Sequence, residues 1–216
     1  MNRFHYILVL TLCLISANTI QAQKMGDVWS SLPDNLVPTI ETNRRMDMVD
    51  LYNAGRRAVT TTLLGGNAEI TAMGDSYINV RLSDCNTIQI KKITTDKQPF
   101  YVIINTVFAP AGNSRLSLYD ENWKQLDISK YISLPQTANF IVLPADSTSY
   151  KEEIRTEILL PTVEYVMNEA TCDISAIPTF DKTTDDETYK RIAPYILPQL
   201  TYRWNGKKWD CVPSTK

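Results

Sequence analysis

The sequence predicts an α+β fold: an antiparallel β-meander sheet packed with an N-terminal helical pair, followed by a C-terminal helix and a β-hairpin. Three observations carry this expectation. Apolar and polar residues alternate with period two between Arg57 and Trp123, interrupted by short turns rich in Gly, Asn and Asp. Two segments with helical spacing precede that stretch. Near the C-terminus, Asn205-Gly206 separates two short aromatic runs, the strongest local signal for a hairpin.

In chain order, Asp27 can cap a helical turn carrying Trp29 and Leu32, which Pro33 and Pro38 keep short. A longer helix starts at Thr42 or Asn43 and ends at Gly55, with Met48, Leu51 and Tyr52 on one face and Asp47 and Asp50 on others. Met46 and Met48 read as core filler. "TTLLGGNAEIT" is a Gly-Gly-Asn reversal between two strands. "SYINVRLSDCNTIQIKKI" places Ile78, Val80, Leu82, Ile88 and Ile90 on one face, with Tyr77, Asn79, Arg81, Gln89 and Lys91 on the other, so these strands read as half-buried. "FYVIINTVF" is apolar on both faces and is therefore expected in the middle of the sheet, covered on both sides, with the N-terminal helix as one cover. Ala111-Gly112-Asn113 turns the chain into "SRLSLY", and Asp120-Glu121-Asn122 makes a further turn before Trp123. Short loops between successive strands imply antiparallel neighbours.

Beyond residue 128 the pattern is weaker. Ser149 with Glu152 resembles a capping box, and Tyr150, Ile154 and Ile158 fit a helix stopped by Pro161, although "TEILLP" is also compatible with a strand. "TVEYVMN" and "TCDISAIPTF" read as a hairpin turning at Glu169-Ala170. A helix from Asp185 to about Ile192 follows, with Thr184 and Glu187 as its capping box. In the last hairpin a two-residue turn would oppose Trp204 to Lys207 and Tyr202 to Trp209. Leu200, Tyr202, Trp204, Trp209 and Cys211 then share one side; a four-residue loop would keep the same faces.

The first 22 residues have the layout of a signal peptide: Arg3 and His5, an apolar run from Ile7 to Ile15, then small and polar residues ending at Gln21-Ala22-Gln23. That run is about half of the roughly 20 apolar residues a spanning helix needs. A lipid anchor at Cys13 is disfavoured because Leu14 and Ile15 prolong the apolar run past it. Residues 23–216 are then expected to form a single α+β domain, exported to the periplasm or beyond, with no transmembrane segment. Loss of Arg3 with the leader leaves 21 basic against 24 acidic side chains, a net charge of −3 with no long block of one sign. Such a surface argues against nucleic acid as a partner.

The only histidine, His5, lies in that leader. Its loss would remove every imidazole-dependent chemistry, including Ser-His-Asp and Cys-His hydrolases and HExxH zinc proteases. Cys85, Cys172 and Cys211 remain without a C-x-x-C pair, so no metal is expected. A disulfide between Cys172 and Cys211 would leave Cys85 as a small buried thiol near a turn. The seven glycines form no phosphate-binding loop, and no cofactor is expected. Asp185, Asp186 and Glu187 are the densest acidic cluster and read as first-turn helix acids.

The early "VWSSLPDNLVPTI", the "RRMDMVDLY" helix, "NSRLSLYDENW" and the final "YRWNGKKW" together resemble a family of secreted proteins of Bacteroidales bacteria classed as a domain of unknown function. The resemblance implies an envelope or secreted location and supplies no site residue. Asp146-Ser147-Thr148 also resembles the acceptor triplet for O-linked glycans in such bacteria, which would make Ser147 the modified residue. The resulting expectation is a non-enzymatic module that binds an envelope protein or a glycan, with Trp204, Tyr202 and Trp209 as the candidate ligand-binding residues. A glycan hydrolase using two carboxylates is the alternative, and a secreted inhibitor is a further one.

Overall fold

The computed structural model describes residues 24–96, 98–143 and 148–212. The leader, Cys13 and Ser147 lie outside the described residues. Among the described residues four α-helices, α1 (Met25–Ser30), α2 (Thr42–Asn53), α3 (Thr148–Glu157) and α4 (Asp186–Ile192), accompany two antiparallel sheets. No helix among them is long and apolar enough to cross a membrane.

Strands β1 (Val59–Thr61), β2 (Asn67–Met73), β3 (Tyr77–Ser83), β4 (Asn86–Ile93), β5 (Phe100–Phe108) and β6 (Gly112–Tyr119) pair in sequence order, so the first sheet is the expected meander. Its short connections leave each strand no neighbour but the next one. Ile78, Val80, Leu82, Ile88 and Ile90 point toward the helical pair and form one core with Met25, Val28, Trp29, Leu32 and Met48. Gly26 allows α1 to approach α2 closely: a Cβ there would lie 2.7 Å from Val49 Cγ1. Asp27 occupies the first turn of α1 and Lys24 the cap position, so the acid faces the helix dipole without capping it. Met48 is core as expected, whereas Met46 is exposed.

Arg45 is fully buried, which helical periodicity did not anticipate. Its guanidinium donates to Leu32 O at 2.7 Å, Ile40 O at 3.2 Å, Asp34 Oδ1 at 2.9 Å and Thr42 Oγ1 at 2.9 Å. It thereby binds the irregular segment between the two helices to α2, supplying partners to carbonyls that would otherwise be buried unsatisfied.

β5 is covered on both faces, as its composition requires. Tyr101 and Ile103 join the helix-side core, and Phe100, Val102 and Ile104 join the opposite one. Part of the helix-side cover comes from Trp123, whose ring stacks on Tyr101 at 4.8 Å and 18°. The last two residues of β5, Val107 and Phe108, are exposed.

The larger departure from expectation concerns the other face of the meander. β7 (Val163–Met167), β8 (Ile174–Pro178), β9 (Leu200–Trp204) and β10 (Trp209–Val212) form a second sheet in the order β10-β9-β8-β7. Both expected hairpins are present, and the pairs Ile174↔Tyr202 and Ala176↔Leu200 fuse them. This sheet shares a core with Tyr77, Ile93, Leu116 and Leu118, so the second face of β4 is buried at Gln89, Lys91 and Ile93 rather than exposed, whereas β3 beyond Tyr77 stays half-buried, with Asn79, Arg81 and Ser83 only partly covered.

Gln89 and Lys91 are buried because they satisfy the open edge of β7. Gln89 Oε1 accepts from Met167 N at 3.0 Å, and its Nε2 donates to Tyr165 O at 3.5 Å. Ser114 Oγ accepts from Tyr165 N at 2.9 Å, and Lys91 Nζ donates to Glu169 O at 2.6 Å. Polar side chains of one sheet thus stand in for the missing neighbour strand of the other.

Ile154 and Ile158 are buried on or just beyond α3, which resolves the helix-or-strand ambiguity of that segment in favour of a helix ending before Pro161. In α4 the cap is Asp185, whose side chain accepts from Thr188 N at 2.9 Å; Thr184 does not cap the helix.

Candidate functional site

The C-terminal hairpin closes through a four-residue loop, Asn205 to Lys208. Asn205 Oδ1 accepts from the amides of Lys207 and Lys208 at 2.9 and 3.0 Å, and Gly206 takes φ 92°, where a Cβ would be strained. The register is Trp204↔Trp209, Arg203↔Asp210 and Cys211↔Tyr202. It differs by two residues from that of a two-residue turn, so every side chain keeps its expected face.

The three aromatic candidates divide. Tyr202 and Trp209 are buried and Trp204 is half-buried. Trp204 packs on Trp209 at 4.4 Å, and Phe100 meets both edge-on at 5.8 and 6.1 Å. Trp209 Nε1 donates to Cys172 O at 2.6 Å. Two of the three residues therefore serve mainly to close the core. Burial, then proximity to Cys211 and Tyr165, pushes the Tyr202 phenol well above its ordinary range.

Tyr131, which sequence periodicity did not single out, is the aromatic that the fold brings to the surface beside them. It lies just past a 3₁₀ turn, Ile128–Lys130, capped by Asp127, whose carboxylate accepts from Ser129 N at 3.1 Å. Tyr131 O accepts from Trp209 N at 2.7 Å, and Ile132 bridges Trp209 in parallel, so this segment runs along the outer edge of β10. The Tyr131 ring packs on Phe100 at 5.0 Å.

Two grooves share Tyr131. The first, about 390 Å³, runs between residues 129–139 and the hairpin, with Tyr202, Trp209, Lys130, Lys208 and Asn139 among its walls. The second, about 440 Å³, is bounded by Asp96, Gln98, Phe100, Gly206 and Lys207. Both fall in the size range of small-ligand sites, with polar groups around an aromatic floor. Among the described residues each holds a single acid, Asp210 in the first and Asp96 in the second. Hydrogen bonds from Lys208, and secondarily from Asn205, hold the Asp210 carboxyl below its ordinary range.

The expected disulfide is not formed: Cys85, Cys172 and Cys211 are all free. Cys211 lies opposite Tyr202, which lies opposite Ile174, so the whole of β9 separates it from the strand that Cys172 precedes. Two strand spacings are about 10 Å, beyond the roughly 7 Å that a disulfide can bridge. Burial pushes the Cys172 thiol up. Cys85, expected to be buried, is exposed in the β3–β4 turn. Among the described residues no three His, Cys, Asp or Glu side chains converge as a metal would require.

A solved structure of a domain of an uncharacterized protein from Porphyromonas gingivalis W83 is similar to this chain, with a TM-score of 0.74 at 20% sequence identity, covering 85% of this chain and 96% of that one. At that identity the likeness shows the fold. No curated protein matches the chain. The family described as Protein of unknown function (DUF3256) matches residues 17–209, more than four-fifths of the sequence, and the chain belongs to that family.

Proposed function

We propose that this protein is an exported, non-enzymatic binding module of the cell envelope that takes a glycan across Tyr131. The observation that carries the reading is Tyr131 itself, an incompletely buried ring shared by two polar-rimmed grooves and backed by Phe100. Sugars offer apolar ring faces to aromatics and hydroxyls to groups such as Gln98, Asn139 and Lys130. Export is supported by the leader pattern of residues 1–22. The absence of histidine after His5 and the single acid in each groove favour binding over hydrolysis.

The test is a titration with soluble peptidoglycan fragments and envelope oligosaccharides, followed by the fluorescence of Trp204 and Trp209. Saturable binding that Tyr131→Ala weakens at least ~10-fold, as the loss of an aromatic stacking platform worth about 1.5 kcal/mol requires, is the expected result. Saturable binding unaffected by Tyr131→Ala would move the site elsewhere. Release of reducing ends, abolished by Asp210→Asn, would replace the reading with the hydrolase. Export is checked by the N-terminus of the cell-derived protein, expected near Gln23.

A further inference from the structure

A third groove, about 430 Å³, lies at the β5–β6 end of the first sheet and has a different chemistry. Its walls include Val107, Ala109, Pro110 and Leu160, and the neighbouring Phe108 and Leu159 are exposed as well. Leu159 and Leu160 are 78% and 57% exposed, a high value for adjacent leucines beside an exposed Val-Phe pair.

The polar groups of this groove separate into two kinds. The hydroxyls are occupied internally. Thr183 Oγ1 donates to Leu160 O at 2.9 Å, Thr162 Oγ1 accepts from Thr179 Oγ1 at 2.8 Å, and Ser114 Oγ lies 2.8 Å from Thr106 Oγ1 and accepts from Tyr165 N. The side chains of Asn105, Asn113 and Arg115 have no partner among the described residues. The register places Asn105 opposite Arg115 and Val107 opposite Asn113, so these residues share one face, with the guanidinium and Asn105 farther from the β5–β6 turn than Val107. Among the described residues no acidic side chain lines the groove. One end is thus an unpaired cation beside Asn105; the other is walled mainly by the apolar side chains of Val107, Ala109, Pro110 and Leu160, with Asn113 beside Val107.

From this head-and-tail division we infer that the groove binds the carboxylate of an acyl chain, with the carboxylate on Arg115 and the hydrocarbon along Val107, Pro110 and Leu160. Arginine suits the head group because its planar fork meets a carboxylate with two parallel hydrogen bonds. The tail gains from burial against side chains that otherwise face water. The site is separate from the grooves around Tyr131 and does not depend on what they bind.

The test is calorimetric titration of the purified protein with decanoate below its micelle concentration, alongside decanol, decyltrimethylammonium and the dipeptide acetyl-Leu-Leu. The expected result is saturable one-to-one binding of decanoate, at least ~10-fold weaker for decanol and the cation, as the loss of a charge-assisted hydrogen bond implies. Arg115→Gln should weaken decanoate by a similar factor and leave decanol unchanged, and Leu160→Asp should weaken both. Both positions are exposed, and circular dichroism checks that the variants fold. Absence of saturable decanoate binding, equal binding of decanol, or an undiminished Arg115→Gln variant would each overturn the inference. Tighter binding of acetyl-Leu-Leu than of decanoate would overturn it in favour of a peptide terminus.

Discussion

Replacing Gln89 by leucine tests whether side chains really substitute for a strand along the edge of β7. The amide bridges the two sheets: it accepts from Met167 N at 3.0 Å and from the Tyr77 hydroxyl at 3.4 Å, and donates to Tyr165 O at 3.5 Å. Met167, Tyr165 and Gln89 are all buried, so water cannot replace the lost partners without opening the core. The stranded Met167 N–H costs about 1–3 kcal/mol, and the two longer bonds add roughly 0.5 kcal/mol each. Together these come to about 2–4 kcal/mol, and burial of the more apolar leucine side chain offsets part of this, leaving a destabilisation of about 1–3 kcal/mol. For a domain of this size that corresponds to a melting temperature lower by roughly 2–12 °C. Urea unfolding followed by tryptophan fluorescence measures the loss, and hydrogen exchange at the Met167 amide locates it. Gln89→Met, which fills the same space with a flexible apolar chain, should lose a similar amount, separating unsatisfied polarity from cavity formation. A loss below about 1 kcal/mol in both variants, with Met167 exchange unchanged, would refute the idea that Gln89 holds this edge.

Two further predictions concern the surface of the first sheet. The side chains of Arg57 and Arg81 hold the Glu69 carboxyl down at about 2, chiefly through the Arg57 hydrogen bonds. Its contribution to stability is complete above the ordinary value of 4.5 and is lost as pH falls from there toward 2; carboxyl NMR should show the low titration, and Glu69→Gln should remove this part of the acid limb. The partly exposed setting keeps the effect below about 1 kcal/mol. Trp123 sits at φ 60° while stacking on Tyr101, so Trp123→Gly should be more stable than Trp123→Ala by about 1 kcal/mol, the reverse of the usual order, because only glycine escapes the left-handed backbone penalty. Thermal unfolding of the two variants checks the sign.

By itself the sequence determined the elements and their local partners. Period-two alternation with short turns produces the six-strand meander, because a loop of a few residues can only return a strand beside its predecessor. The faces of Tyr202, Trp204 and Trp209 also followed from local pattern, since changing the loop from two residues to four moves the register without altering its parity. Tertiary structure alone decided what lies against each face. Gln89, Lys91 and Arg45 look like surface residues along the chain; each is buried because a remote backbone edge or loop presents carbonyls and amides that need a partner, and sequence spacing carries no record of that need. The same holds for Tyr131 and Arg115, whose surroundings are assembled from segments distant in the chain. Fusion of two hairpins into one sheet likewise placed β9 between Cys172 and Cys211, because hydrogen bonding between strands far apart in sequence is fixed by the packed core and not by either hairpin.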